Sequence, residues 1–136
     1  MPGRRLFIFF FLLYVFCQAP FSWADRKEGG GLCTEANTTV EMQVCLVQKL
    51  EESEILMADR LNRLMKCLDS GQQEQLAGDQ NVWLRFRELN ADFEASGERG
   101  GSLYTVERLA ILVEMTQKRA DELERFYLKF CNSDFK

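Results

Sequence analysis

Apolar side chains recur at steps of three and four over three long stretches of the chain, a spacing that predicts three α-helices. In the first stretch, Val40, Val44 and Val47 are followed by Met57, Leu61, Leu64 and Leu68. Thr38 and Glu41 in "TTVE" fit a capping box, and "DSG" (Asp69–Gly71) is a stop signal, so this helix is expected over about 38–69. Its middle, "EESE" (Glu51–Glu54), is poor in apolar residues and reads as a bend or an exposed turn. A second helix is expected from about Gln72 to Ala95, frayed near Gly78, and "SGERGGS" (Ser96–Ser102) is a loop. In the third, Val106, Leu109, Val113, Thr116, Ala120, Leu123, Tyr127 and Phe130 form the inner seam of a bundle. No strand pattern competes. The expected fold is all-α: an antiparallel three-helix bundle stapled by disulfides. Short loops favour packing within one chain over a coiled coil between chains.

The first residues follow a different pattern. Arg4 and Arg5 precede an apolar run from Leu6 to Cys17, and Ser22 and Ala24 stand at the small positions of a cleavage site. This is the pattern of a secretory signal peptide over 1–24, and the run is shorter than the ~20 apolar residues of a spanning helix. Cys17 follows Phe16 rather than the small residue that precedes a lipid-modified cysteine, so it is expected to leave with the leader. Residues 25–32 ("DRKEGGGL") are a flexible lead-in, and 33–136 are the helical domain. The product is expected in the periplasm or outside the cell, with no stable membrane span after cleavage.

Charge narrows the partner class. The formal net charge is −4, and loss of Arg4 and Arg5 with the leader carries it to −6. Such a surface repels nucleic acid; on charge alone it either attracts a cationic protein or simply keeps the domain in solution.

Four cysteines remain after cleavage: Cys33, Cys45, Cys67 and Cys131. An even number in a small exported domain points to disulfides. Cys45 and Cys67 lie about 33 Å apart along one helix at 1.5 Å per residue, far beyond the ~7 Å that a disulfide spans. An up-down-up path brings the C-terminal ends of helices one and three together. The expected pairs are therefore Cys33–Cys45 and Cys67–Cys131. The spacings match no zinc framework, and the chain has no histidine, so neither a metal nor another cofactor is expected.

Without histidine the commonest general base is missing, and no Ser-His or Cys-His nucleophile can be assembled. The acids lie mostly on polar faces, where solvation is their ordinary role. No catalytic residue is assigned, and a non-enzymatic protein is expected.

One helical face remains unexplained. Gln80, Trp83 and Arg87 follow one another at steps of three and four, so an amide, an indole and a guanidinium share a stripe that should be apolar. In one reading Trp83 anchors the core, Arg87 pairs with Asp59 or Glu114, and Gln80 bonds a neighbour. In the other the trio is an exposed contact patch, since Trp and Arg are enriched in interface hot spots.

These residues also carry a resemblance. C-x11-C at Cys33 and Cys45, Leu61-Asn62, Q-x-x-W-x-x-x-R at Gln80, Trp83 and Arg87, the Gly100–Ser102 loop, and T-x-x-R-x-x-x-L at Thr116, Arg119 and Leu123 occur in order. The series resembles the LprI-like lysozyme-inhibitor family of secreted and periplasmic bacterial proteins. It implies a small, exported, disulfide-bonded helical domain that binds a protein partner, the cationic lysozyme for the members that name the family. The family carries further cysteines where this chain has Ala91 and Ile111, whereas Cys67 and Cys131 are additions. On this likeness Gln80, Trp83, Arg87, Thr116 and Arg119 are mainly structural. Inhibition is expected to be steric, with the Ser96–Ser102 loop and Glu94, Glu98 and Arg99 as the candidate insert; the alternative reading of the same loop is an ordinary solvated turn. The rival function is an envelope interaction module or a toxin-binding adaptor, using exposed apolar residues such as Phe126, Tyr127 and Phe135. The oligomeric state is left open.

Overall fold

A computed structural model describes residues 33–132. The signal peptide and lead-in expected over 1–32, and Phe135, lie outside the described residues. Three helices follow in order: α1 (Thr39–Met65), α2 (Ser70–Glu94) and α3 (Tyr104–Cys131), with a short 3-10 turn (Ala95–Glu98) between the last two.

Local signals explain the boundaries. Thr38 caps α1: the Glu41 amide donates to its Oγ1 at 3.2 Å, and the Thr38 amide donates to Glu41 Oε2 at 3.1 Å. Asp69 and Gln72 repeat the capping box on α2, at 2.9 and 3.2 Å. Gln73 Nε2 then donates to the Met65 and Leu68 carbonyls, each at 2.9 Å, which closes the turn from α1 into α2. α2 runs through Gly78 without a break.

α1 is likewise continuous through "EESE". Ser53 in that stretch is buried, and its hydroxyl donates to the Lys49 carbonyl at 2.7 Å. Helical phase decides what α1 buries. Leu46, Ser53, Met57 and Leu64 form its inner face, while Val40, Val44 and Val47 are exposed. The expected Val40–Val44–Val47 stripe is thus corrected. Val47 and Met57 are ten residues apart, about 80° short of whole turns, whereas Leu46 and Met57 are nearly in phase. In α3 the expected seam is buried from Val113 to Leu123, and only its last member, Phe130, is largely exposed. Phe126 and Tyr127, expected to be exposed, pack partly buried against the core around Leu64 and Leu123.

The chain runs up, down and up, so α1 and α3 are parallel. They make the most extensive helix contact in the fold. Arg60 pairs with Asp121 at 2.7 Å, Arg63 pairs with Glu124, and Cys67 is bonded to Cys131 with the Cα atoms 5.7 Å apart. At the opposite end Cys33 is bonded to Cys45 with the Cα atoms 6.2 Å apart. Cys33 also packs beside Leu46 and Val113, so this bond ties the turn before α1 to the bundle end. Ala91 and Ile111 meet in one apolar cluster, so an alkyl contact joins α2 to α3 where the resemblance places a cysteine pair.

Candidate functional site

Two places in the fold bear on function. The first is a buried polar network where α2 crosses α1 and α3. The second is the turn between α2 and α3.

In the network, Gln80, Arg87, Thr116 and Arg119 are all buried. Arg87 Nη1 donates to Thr116 Oγ1 at 2.9 Å and to Glu54 at 3.0 Å, and Nη2 donates to Glu88 at 2.8 Å. The Thr116 hydroxyl donates to the Leu112 carbonyl at 2.7 Å, which leaves its lone pairs free for Arg87. Arg119 Nε donates to Gln80 Oε1 at 3.0 Å, and its other nitrogens reach Glu122 at 2.5 Å and Asp79. The Gln80 amide donates in turn to Met57 Sδ at 3.5 Å. Both guanidiniums lie over the Trp83 ring, each with Cζ 5.6 Å from its centroid, within cation–π range.

The paired motifs therefore interlock: Arg87 of α2 meets Thr116 of α3, and Gln80 of α2 meets Arg119 of α3. Asp59 and Glu114 are not the partners of Arg87. Glu114 pairs with Lys118 on its own helix, and Asp59 is exposed. Glu54 takes the role because it stands on the side of α1 that faces Arg87. Two charged groups this buried are stable only because opposite charges and acceptors surround them. The arrangement ties α2 to α1 and α3 through charge-assisted hydrogen bonds.

Trp83 is half-buried rather than enclosed. Its outer edge, with Met115, Lys118, Arg119, Glu122 and Arg125, lines a shallow hollow of about 260 Å³. Trp83→Ala is expected to cost about 3 kcal/mol, at the low end for an aromatic truncation because the ring is only half-buried, even though it also removes the ring on which both guanidiniums lie. Urea unfolding checks this, and an unchanged midpoint would place Trp83 outside the cohesive core.

A second network on the same face of the bundle was not visible beforehand. Arg108 Nε donates to Asp92 at 2.5 Å, Arg108 Nη2 donates to Glu88 at 2.7 Å, and the Tyr104 hydroxyl donates to Asp92 at 3.4 Å. The Arg108 hydrogen bond holds the Asp92 carboxyl below its ordinary value of 3.8, with Tyr104 and the charge of Arg99 acting in the same direction. Asp92 in turn raises Arg108. A depressed carboxylate adds stability above its unfolded-state value, and this is lost as pH falls through the lower folded-state value. Asp92→Asn should therefore lower the urea midpoint at pH 7, and the gap to wild type should close as pH drops below about 4. A gap independent of pH would show that charge is not the cause.

The turn is a pinned knuckle. Ala95 is fully buried against Ile111 and Leu112, while residues 96–103 are exposed. The Arg99 amide donates to Ser96 O at 3.3 Å, and the Gly101 amide donates to Glu98 O at 2.9 Å. Gly100 has φ of +86°, which an L side chain rarely adopts, and a Cβ on Gly101 would come within 3.2 Å of the Glu98 carbonyl. Glu98 and Arg99 stand at the exposed tip, whereas Glu94 is partly buried and accepts from Asn90 Nδ2 at 2.6 Å.

Among the described residues no cluster of His, Cys, Asp and Glu is arranged to hold a metal, and no helix is long and apolar enough to cross a membrane.

Fold and network together define a small helical scaffold, stapled at both ends and registered by buried arginines. The sequence matches the family described as Lysozyme inhibitor LprI over residues 33–123, and the chain belongs to that family. It is a family of inhibitors, not of enzymes. No curated protein and no solved structure matches the chain.

Proposed function

We propose that this chain is an exported, non-enzymatic inhibitor of a C-type lysozyme that blocks the enzyme's glycan cleft. The observation that carries the reading is the family match over residues 33–123. The two disulfides and the signal-peptide pattern support an oxidising compartment outside the cytoplasm. The negative net charge supports attraction to a cationic enzyme.

In this mechanism the Ser96–Ser102 knuckle enters the cleft. Its backbone is already fixed by its own hydrogen bonds and by buried Ala95, so little conformational freedom is lost on binding. Glu98 meets the cationic rim, Arg99 pairs with a cleft carboxylate, and Glu94 holds the turn through Asn90. Inhibition is steric and competes with glycan.

The test is inhibition of a C-type lysozyme by the oxidised protein at low and moderate salt, with a goose-type enzyme as control. Stoichiometric, salt-weakened inhibition of the C-type enzyme is the expected result. Glu98→Lys should raise the inhibition constant about tenfold and flatten its salt dependence. Absence of binding at tens of micromolar would overturn the reading in favour of an envelope interaction module. Full inhibition by Glu98→Lys would overturn the knuckle alone.

A further inference from the structure

α2 carries a second stripe that the bundle does not use. Val82, Phe86, Leu89 and Phe93 follow at steps of four, three and four, on the face opposite Gln80 and Arg87. They are 71%, 54%, 61% and 76% exposed. The spacing is that of a coiled-coil seam, yet no element of the described chain packs on it. At ~150–250 Å² for an aromatic side chain, the stripe leaves on the order of 450 Å² of apolar surface open, within the ~300–600 Å² of the largest patch on a lone soluble domain, a patch that is often functional.

We propose that this stripe is the interface of a homodimer, in which α2 packs antiparallel against α2 of a second copy. Three observations commit the face to that occupant. The first is register. The four positions are symmetric about the midpoint between Arg87 and Glu88, so a two-fold axis there sets Val82 level with the second copy's Phe93, and Phe86 level with its Leu89. Large faces small or medium in every layer, as a packed seam requires.

The second is charge. Arg85 and Asp92 flank the stripe on the same side, in the positions that meet across an antiparallel pair. Arg85 is exposed and has no ion-pair or hydrogen-bond partner among the described residues. Asp92 keeps 45% of its side chain open despite Arg108. The two-fold places Arg85 of each copy beside Asp92 of the other, twice. A parallel pairing sets Arg85 beside Asn90 and forfeits both contacts.

The third is area. Two such stripes cover about 900 Å², and their polar flanks carry the total past the ~1,000 Å² that a specific interface needs. A cationic enzyme is a poorer match, because the group at the edge of the stripe that lacks a partner is itself a cation.

The experiment is sedimentation equilibrium of the oxidised, exported protein from low micromolar to about 1 mM. A monomer–dimer equilibrium is expected. Phe86→Glu and Leu89→Glu should each raise the dissociation constant at least ~100-fold while leaving the melting of the monomer unchanged, since both side chains face solvent there. Arg85→Glu should raise it about tenfold and reverse its salt dependence, because each copy then sets an acid against an acid. A monomer at every concentration overturns the proposal, as does a dimer indifferent to Phe86→Glu. A monomer whose Phe86→Glu variant loses lysozyme inhibition overturns it too and gives the stripe to the enzyme.

Discussion

Replacing Cys67 and Cys131 together by serine is expected to cost about 4 kcal/mol, against about 3 kcal/mol for the Cys33–Cys45 pair. The ranking follows from the loops that each bond closes. Cys67 and Cys131 are 64 residues apart and Cys33 and Cys45 only 12, and a longer loop denies the unfolded chain more freedom. Position adds to this. Cys131 packs against the cluster of Leu64, Leu76 and Leu123, where the parallel helices α1 and α3 end together. The Cys33–Cys45 bond fastens the short turn before α1 to the first turns of that one helix. A domain of this size has only ~5–15 kcal/mol in total, so the first loss is a large share of it. Urea unfolding of both double variants at neutral pH checks the order. Equal losses, or a greater one for Cys33–Cys45, would mean that the long bond adds little to a bundle that closes without it.

Arg119→Ala is expected to be as damaging, at about 3–5 kcal/mol. The side chain is 4% exposed and serves three acceptors, Gln80, Glu122 and Asp79. Truncation strands the Gln80 carbonyl inside the bundle and leaves two carboxylates without their cation beside Trp83. Arg119→Met keeps the stem and fills the space, so it should cost roughly half as much. The near-ultraviolet signal of Trp83 should change in both, because the guanidinium leaves its ring. A loss under ~1 kcal/mol in the alanine variant would show that solvent already shares the site.

Much of this architecture could be read from short-range chemistry. The capping box at Thr38, the order of three helices and the cysteine pairing all rest on short-range rules, and the structure carries each of them, although α1 ends at Met65 rather than near 69. Two things resisted. The phase of α1 was hidden by "EESE": a reader who restarts the count after those acids loses the 80° between Val47 and Met57. The acid that serves Arg87 was hidden by abundance. With 21 acidic residues in the chain, several stand within reach of any arginine, and only the packing angle of α1 selects Glu54. At the buried network, the sequence supplied Gln80, Trp83, Arg87, Thr116 and Arg119 as a set, but not that they interlock across two helices. Asp79, beside Gln80, was the one available hint of a partner for Arg119. The outward stripe of α2 had a signal of its own in its four-three-four spacing. The more unusual polar stripe on the same helix masked it. The knuckle was legible as a loop from its glycines, and its tip residues Glu98 and Arg99 are exposed, but no sequence pattern told that Glu94 is tied back to Asn90.

The parallel pairing of α1 with α3 also sets an order of assembly. The contacts that join them link residues about 60 positions apart, as Arg60 with Asp121 and Arg63 with Glu124 do. Such separations are long for an all-helical protein, whose contacts are usually local and quickly made. As the chain emerges during synthesis, α1 and α2 appear first but share only a small contact, so they have little to hold each other. The short Cys33–Cys45 loop, once in an oxidising compartment, needs only α1 to close. The broad face of α1 has to wait, open, until the last helix arrives. The protein therefore cannot be cut into a stable N-terminal half and a dispensable tail: its final 28-residue helix is the missing wall of its first.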